Sequence, residues 1–200
     1  MVAQREPQYM TVDEWCELER TTPDAKYEYI DGQVYLMSGG SLAHSRISSN
    51  TVRALEDALA DGPCYVYNSD ASVRLTETRY TYPDISVSCD LADQPTIEQL
   101  QVQAPRVVVE VLSDSTEGKD RIRKANLYRA CPTIQEYVLI ATKYQAVEVQ
   151  RRAGDDWTLH LFGPDDEIEL ASLGIRFPLA NLYRGTTVPE MLNGQDEPHL

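Results

Sequence analysis

The run Arg106-Val-Val-Val-Glu110-Val-Leu112 constrains this chain more than any other segment. Branched apolar residues on both faces describe a central strand of a covered sheet. Glu110 interrupts that pattern, and a lone buried carboxylate costs several kcal/mol unless something pairs with it. Upstream, Tyr82-Pro-Asp84-Ile-Ser-Val-Ser88 reads as a second strand with its own acid. Strand alternation puts Asp84, Ser86 and Ser88 on one face, and likewise Val108, Glu110 and Leu112. If the two strands are neighbours, Asp84 and Glu110 lie side by side.

Hard divalent cations take such carboxylate oxygens, completed by water or by a backbone carbonyl such as that of Val111. A metal held there can activate water and stabilise charge on a transferring phosphoryl group. The bland alternative is that Asp84 caps a strand start after Pro83, while Glu110 pairs with Arg106 or Arg123. Both readings stand on spacing alone.

The following helix, expected over Lys119–Ala130, adds a cation. Asp120, Lys124 and Tyr128 recur at i, i+4 and i+8 and share one helix face. Packed back over the sheet, Lys124 would reach the end of the Glu110 strand and polarise an attacking water. The alternative is a solvated Asp120–Lys124 pair worth a few tenths of a kcal/mol. His44 shares a helix face with Ile47 and Thr51 and points inward, either as a hydrogen-bonded structural histidine or as a catalytic group. Glu28 lies on the less apolar face of a hairpin, exposed or aimed into a cleft.

Around these residues the punctuation is clear. Thr11 and Glu14 form a capping pattern before Trp15, and Pro23 ends that helix. Asp31-Gly32 between Tyr27–Ile30 and Gln33–Met37 suits a two-residue type I′ hairpin. Ser41 to Ala60 is a helix with Ile47, Thr51, Ala54, Leu55, Ala58 and Leu59 as its apolar stripe. Short strands are expected near Cys64–Tyr67, Ala71–Leu75 and Pro83–Ser88, then a polar connection from Leu91 to Gln103 with a short helical piece. Glu136–Thr142, Ala146–Arg151 and Trp157–Phe162 continue as a meander. The polar tail over 190–200 is expected to fray. With 200 residues and no dividing linker, one mixed α/β domain is the economical reading, its core spanning about 10–185.

No run approaches about 18 apolar residues, so no transmembrane helix is expected, and the N-terminal residues lack the apolar stretch of a signal peptide. Cys16, Cys64, Cys89 and Cys131 are scattered and read as buried free thiols of a reducing, cytoplasmic compartment. The net charge of −14 is the wrong sign for holding a polyanion by general attraction. A nucleic-acid enzyme of this composition needs a local basic surface, bound metals or a partner that supplies charge.

The motifs also have an order. Tyr27-Glu-Tyr-Ile-Asp-Gly-Gln33, Met37-Ser38, His44-Ser-Arg-Ile47, Tyr82-Pro-Asp84, Val109-Glu-Val-Leu-Ser113, Asp120 with Lys124 and Tyr128, and Glu136-Tyr137 follow one another. This set resembles the Uma-type restriction endonuclease family of the PD-(D/E)xK nuclease superfamily, common in cyanobacteria. The resemblance implies an α/β (α+β) restriction-endonuclease-like fold, in which a mixed central β-sheet is flanked by helices. It also implies Mg²⁺- or Mn²⁺-dependent hydrolysis of DNA phosphodiesters and a homodimer. By that resemblance Asp84 is the motif aspartate, Glu110 the motif acid, Glu28 the upstream acid and His44 the recurrent histidine. The motif lysine belongs two residues after the acid, where this chain has Leu112, and Lys124 is the candidate for a migrated lysine. The rival readings are a nuclease-fold binding or regulatory module without catalysis, favoured by the charge and by Leu112, and an oligomeric scaffold whose acids only form ion pairs.

Overall fold

The computed structural model describes residues 9–37, 39–113, 118 and 120–191. Ser38, most of the loop after Ser113, Lys119, the side chain of Asp120 and the tail expected to fray, with His199, lie outside the described residues. The chain opens with helix α1 (Val12–Thr21), whose start is the expected capping box: the Thr11 hydroxyl accepts from Glu14 N–H, and the Glu14 carboxylate accepts from Thr11 N–H at 2.7 Å. Trp15, on its inner face, packs against Tyr29 and Tyr80 and donates from Nε1 to the Tyr27 carbonyl at 2.8 Å.

Strands β1 (Tyr27–Ile30) and β2 (Gln33–Leu36) turn at Asp31 and Gly32, whose φ of 48° and 89° are those of a type I′ turn. Thr78 and Arg79 both donate to the Asp31 carboxylate and hold this turn against the neighbouring hairpin. Helix α2 (Leu42–Leu59) follows, capped by Ser41, with Ile47, Thr51, Ala54, Leu55 and Leu59 buried as the stripe predicts. The next strands are β3 (Tyr65–Asn68), β4 (Ser72–Thr76), β5 (Arg79–Thr81) and β6 (Ile85–Ser88). A short β7 (Gln101–Val102) and the long β8 (Pro105–Val111) complete the first half.

A π-helical turn over Asp120–Lys124 runs into α3 (Ala125–Ala130), in place of one uniform α-helix. A π turn accommodates an extra residue and marks sites where a side chain must be re-aimed. The meander β9 (Glu136–Ile140), β10 (Val147–Ala153) and β11 (Asp156–Phe162) is followed by the hairpin β12 (Glu167–Leu170) and β13 (Ile175–Pro178) and a short 3-10 turn over Leu179–Asn181.

The strands form a five-stranded sheet of order β2-β1-β5-β4-β7, a six-stranded sheet of order β11-β10-β9-β8-β6-β3, and the terminal hairpin. In the larger sheet β8 and β9 run parallel and the other neighbours antiparallel. Its central strand β8 is covered on both faces. Val107, Val109 and Val111 pack with Ile47 and Leu55 of α2, while Val108 and Leu112 pack with Tyr128, Tyr137 and Leu139. Mixed sheets with helices on both faces make this an α/β fold, as the resemblance implies.

Some expectations need correction. Cys64 and Cys89 are not free thiols: they form a disulfide joining the edge strand β3 to β6, and Cys16 is exposed, not buried. They flank the Tyr65–Ser88 register pair, so the antiparallel ladder brings them face to face. The compartment inference drawn from four free thiols loses its basis. Of the four, Cys131 fits the reading of a buried free thiol. The polar connection 91–103 contains β7 as well as the short helical piece, because Gln101 and Val102 add in parallel to β4. The hairpin β12–β13 lies outside the expected strands, although Ile168, Leu170 and Phe177 are buried at alternating positions.

Candidate active site

The site lies where the two large sheets meet. In the β6–β8 ladder Ile85 faces Val109, so Asp84 and Glu110 stand one step further along the same pair of strands. The expectation that the two strands are neighbours is correct. Asp84 sits just before β6, where its Oδ2 accepts from Val111 N–H at 2.7 Å and lies 3.2 Å from His44 Nε2. The carboxylate thus closes the end of the ladder and orients the imidazole carried by α2. Val111 contributes its N–H to this arrangement.

Glu110 is 4% exposed and Glu28 is 6% exposed, on strands of different sheets. Between them lies Lys124: its Nζ donates to Glu110 Oε1 at 2.9 Å and is 3.2 Å from Glu28 Oε1. Tyr128, one helical turn on, donates its hydroxyl to the same Glu110 oxygen at 2.7 Å. The i, i+4 spacing seen in the sequence therefore has a clear purpose. It delivers an ammonium and a phenol to one carboxylate. Burial, and then the charges of Glu110 and Glu28, hold the Tyr128 phenol well above its ordinary pKa, so it is a donor at any ordinary pH. Glu28 is anchored further by Tyr82 N–H at 3.2 Å.

Neither bland pairing for Glu110 is found. Arg106 donates to the Ser172 carbonyl, and Arg123 stacks over the Tyr35 ring at 3.9 Å. Lys124 is likewise no solvated surface residue, being 9% exposed.

Two other buried acids show what a structural carboxylate looks like in this fold. Asp93 accepts from Gln103 N–H, Ala104 N–H and the Ser88 hydroxyl. Glu136 accepts from Arg151, Ala171 N–H and Ser172. These donors supply a full complement for each. Among the described residues, Glu110 and Glu28 both meet the Lys124 ammonium, and Asp84 meets His44, which is charged only when protonated.

Sequence reasoning missed Gly40. A Cβ there would come within 2.5 Å of His44 Cγ, so the glycine is required by the position of the ring. His44 and Asp84 open onto a cleft of about 840 Å³ whose wall is built by Ser45, Ser48 and Ser49 of α2 and by Tyr82. Asp84 lines this cleft, whereas Glu110 and Lys124 do not.

Two carboxylates opposite one another on adjacent strands are a hard-oxygen donor set, suited to a cation that keeps waters and is completed by substrate phosphate. They are no closed cage: among the described residues no three His, Cys, Asp or Glu side chains are grouped to hold a metal. Ser86, two residues from Asp84 and buried on the same strand face, has a hydroxyl without a partner among the described residues, a polar group that still has hydrogen bonds to satisfy. The carboxylate oxygens of Asp84 and Glu110 fit a hard cation such as Mg²⁺ or Mn²⁺ that keeps waters of its own.

A central mixed sheet with an acid on each of two adjacent strands, and helices on both faces, defines a restriction-endonuclease-like nuclease fold. The chain belongs to the Uma2 family, described as "Putative restriction endonuclease", whose pattern matches residues 12–180. Two uncharacterised proteins of Synechocystis sp. are similar to it. One is 37% identical over 174 residues, covering 86% of this chain and 88% of the relative. The other is 33% identical over 172 residues, covering 83% and 95%. A crystal structure from Anabaena variabilis, titled "putative nuclease belonging to DUF820", superposes with a TM-score of 0.68 at 22% identity, over 87% of this chain and 97% of that one. That likeness establishes the fold. No described helix is long and apolar enough to cross a membrane.

Proposed function

We propose that this protein is a divalent-metal-dependent endonuclease that hydrolyses DNA phosphodiester bonds and works as a homodimer. The observation that carries the reading is the ladder-adjacent pair Asp84 and Glu110, with the Lys124 ammonium on the second acid. Asp84 and Glu110, helped by the Val111 carbonyl, would hold Mg²⁺ or Mn²⁺. Bound there, the cation would lower the pKa of a coordinated water and neutralise charge on the scissile phosphate.

The remaining work falls to the chain itself. Lys124 fixes the orientation of Glu110, and its positive charge stabilises negative charge developing at the phosphate. Glu28 holds the other side of that ammonium and acts as an outer-sphere acid. His44, oriented by Asp84 in the cleft, would exchange a proton with water or the leaving oxygen.

A second reading is a nuclease-fold binding module without turnover. It is favoured by the same lysine, which is buried between two carboxylates, and by Leu112 at the usual lysine position. Incubation of plasmid with the protein and Mn²⁺, beside Asp84→Ala, separates the two. Nicking or linearisation by the native chain alone supports the enzyme, and intact plasmid in both lanes supports the module.

A further inference from the structure

With 32 acidic and 18 basic residues, this chain has acids to spare for nearly every arginine. Most described arginines are accordingly engaged. Arg20, Arg79, Arg121, Arg151 and Arg176 pair with carboxylates, and Arg123 stacks on a tyrosine. Arg46 and Arg53 differ: among the described residues neither side chain has a hydrogen bond or ion pair. Both are exposed on α2, the helix that carries His44.

Their placement is orderly. Seven residues apart, they lie on one side of the helix about 10.5 Å from each other along its axis. Two guanidiniums at that spacing on one side of a helix can meet separate phosphates of the same strand. Between them, Asn50 donates to the carbonyls of Leu182 at 2.9 Å and Arg184 at 2.8 Å, which pins a third exposed arginine beside the helix. A groove lined by Ser45, Arg46, Ser49 and Gly185 shares Ser45 and Ser49 with the cleft that holds His44 and Asp84. Arg53 and Arg184 line the adjoining hollow, where Asp57 is the one acid.

We infer that the outer face of α2 is the backbone-docking surface for duplex DNA, with Arg46 and Arg53 contacting phosphates of the strand that enters the cleft. This inference rests on the nuclease reading and deepens it. It supplies the local basic surface that a chain of charge −14 needs if it is to hold a polyanion at all.

The test is fluorescence anisotropy with a labelled duplex in Ca²⁺, over a range of salt, for the native chain and for Arg46→Ala/Arg53→Ala. Losing two phosphate contacts should reduce the slope of log affinity against log salt by about 1.8, so that going from 50 to 200 mM salt weakens the native chain about twelvefold more than the variant. Arg20→Ala/Arg176→Ala, which makes the same charge change elsewhere, should keep the native slope. An unchanged slope in the α2 variant, or an equal loss in the control, overturns the surface while leaving the nuclease reading intact. Absence of duplex binding by the native chain at every salt overturns both.

Discussion

The Lys124 ammonium and the Glu110 carboxylate, 2.9 Å apart and both buried, are the charge pair on which this fold and its proposed chemistry converge. Lys124→Met should therefore do two things. It removes the ammonium that Glu110 and Glu28 share, and removing one partner of a buried pair costs about 3–5 kcal/mol. Urea unfolding measures that loss. Nuclease activity, assayed well below the variant's unfolding midpoint, should also vanish. A folded variant with native activity would show that the lysine does not serve catalysis.

Asp84→Asn should separate binding from stability. The side chain is 18% exposed, so the fold should survive, and the amide keeps an oxygen for Val111 N–H. Mn²⁺ binding by calorimetry should weaken by at least tenfold, in line with losing one of two anionic ligands. Identical titrations for variant and native chain would sink the metal assignment.

Gly40→Ala should displace the His44 ring, because its Cβ would overlap the imidazole. The expected result is loss of the His44–Asp84 contact, seen as changed imidazole chemical shifts by NMR, with the melting temperature nearly unchanged.

The Cys64–Cys89 disulfide closes a loop of sequence separation 25, and removing it as Cys64→Ser/Cys89→Ser should cost about 2–4 kcal/mol. Protein denatured without reductant should show two titratable thiols, Cys16 and Cys131, from the four cysteines of the chain.

Stability should fall at alkaline pH. Burial raises the phenol pKa values of Tyr82, Tyr128 and Tyr183, so each is neutral in the fold at a pH where its unfolded counterpart has ionised. A group with a raised folded pKa gives its full stability below the unfolded value, about 10 for tyrosine, and loses it as pH rises toward the folded value. Tyr183, which donates to the Ala141 carbonyl far from the acids, is the clean test. Tyr183→Phe should make the stability–pH slope above pH ~10 shallower by about 1.4 kcal/mol per pH unit.

The central facts were legible in the sequence because they obey simple periodicities. Alternation placed Asp84 and Glu110 on one face, and the i, i+4 rule placed Lys124 with Tyr128. The Asp31-Gly32 turn and the Thr11 capping box needed a few residues each. What escaped was set by contacts distant along the chain. Cys64 and Cys89 pair because a ladder aligns them, which spacing cannot reveal. Glu28 meets Lys124 across two sheets, a relation that no local pattern encodes. The π turn at Asp120–Lys124 looks like any helix in its apolar pattern.

The position of Lys124 between β1 and β8 has an evolutionary consequence. The same ammonium that would serve a reaction also holds the two large sheets together at their seam. A lineage that gave up cutting DNA would still pay in folding for losing it, so selection for a stable body alone would retain the triad. Persistence of Glu28, Glu110 and Lys124 among relatives would thus say little about which of them are working enzymes. Asp84, less buried and, among the described residues, joined only to His44 by an ion pair, is the position where an idle descendant would be free to drift first.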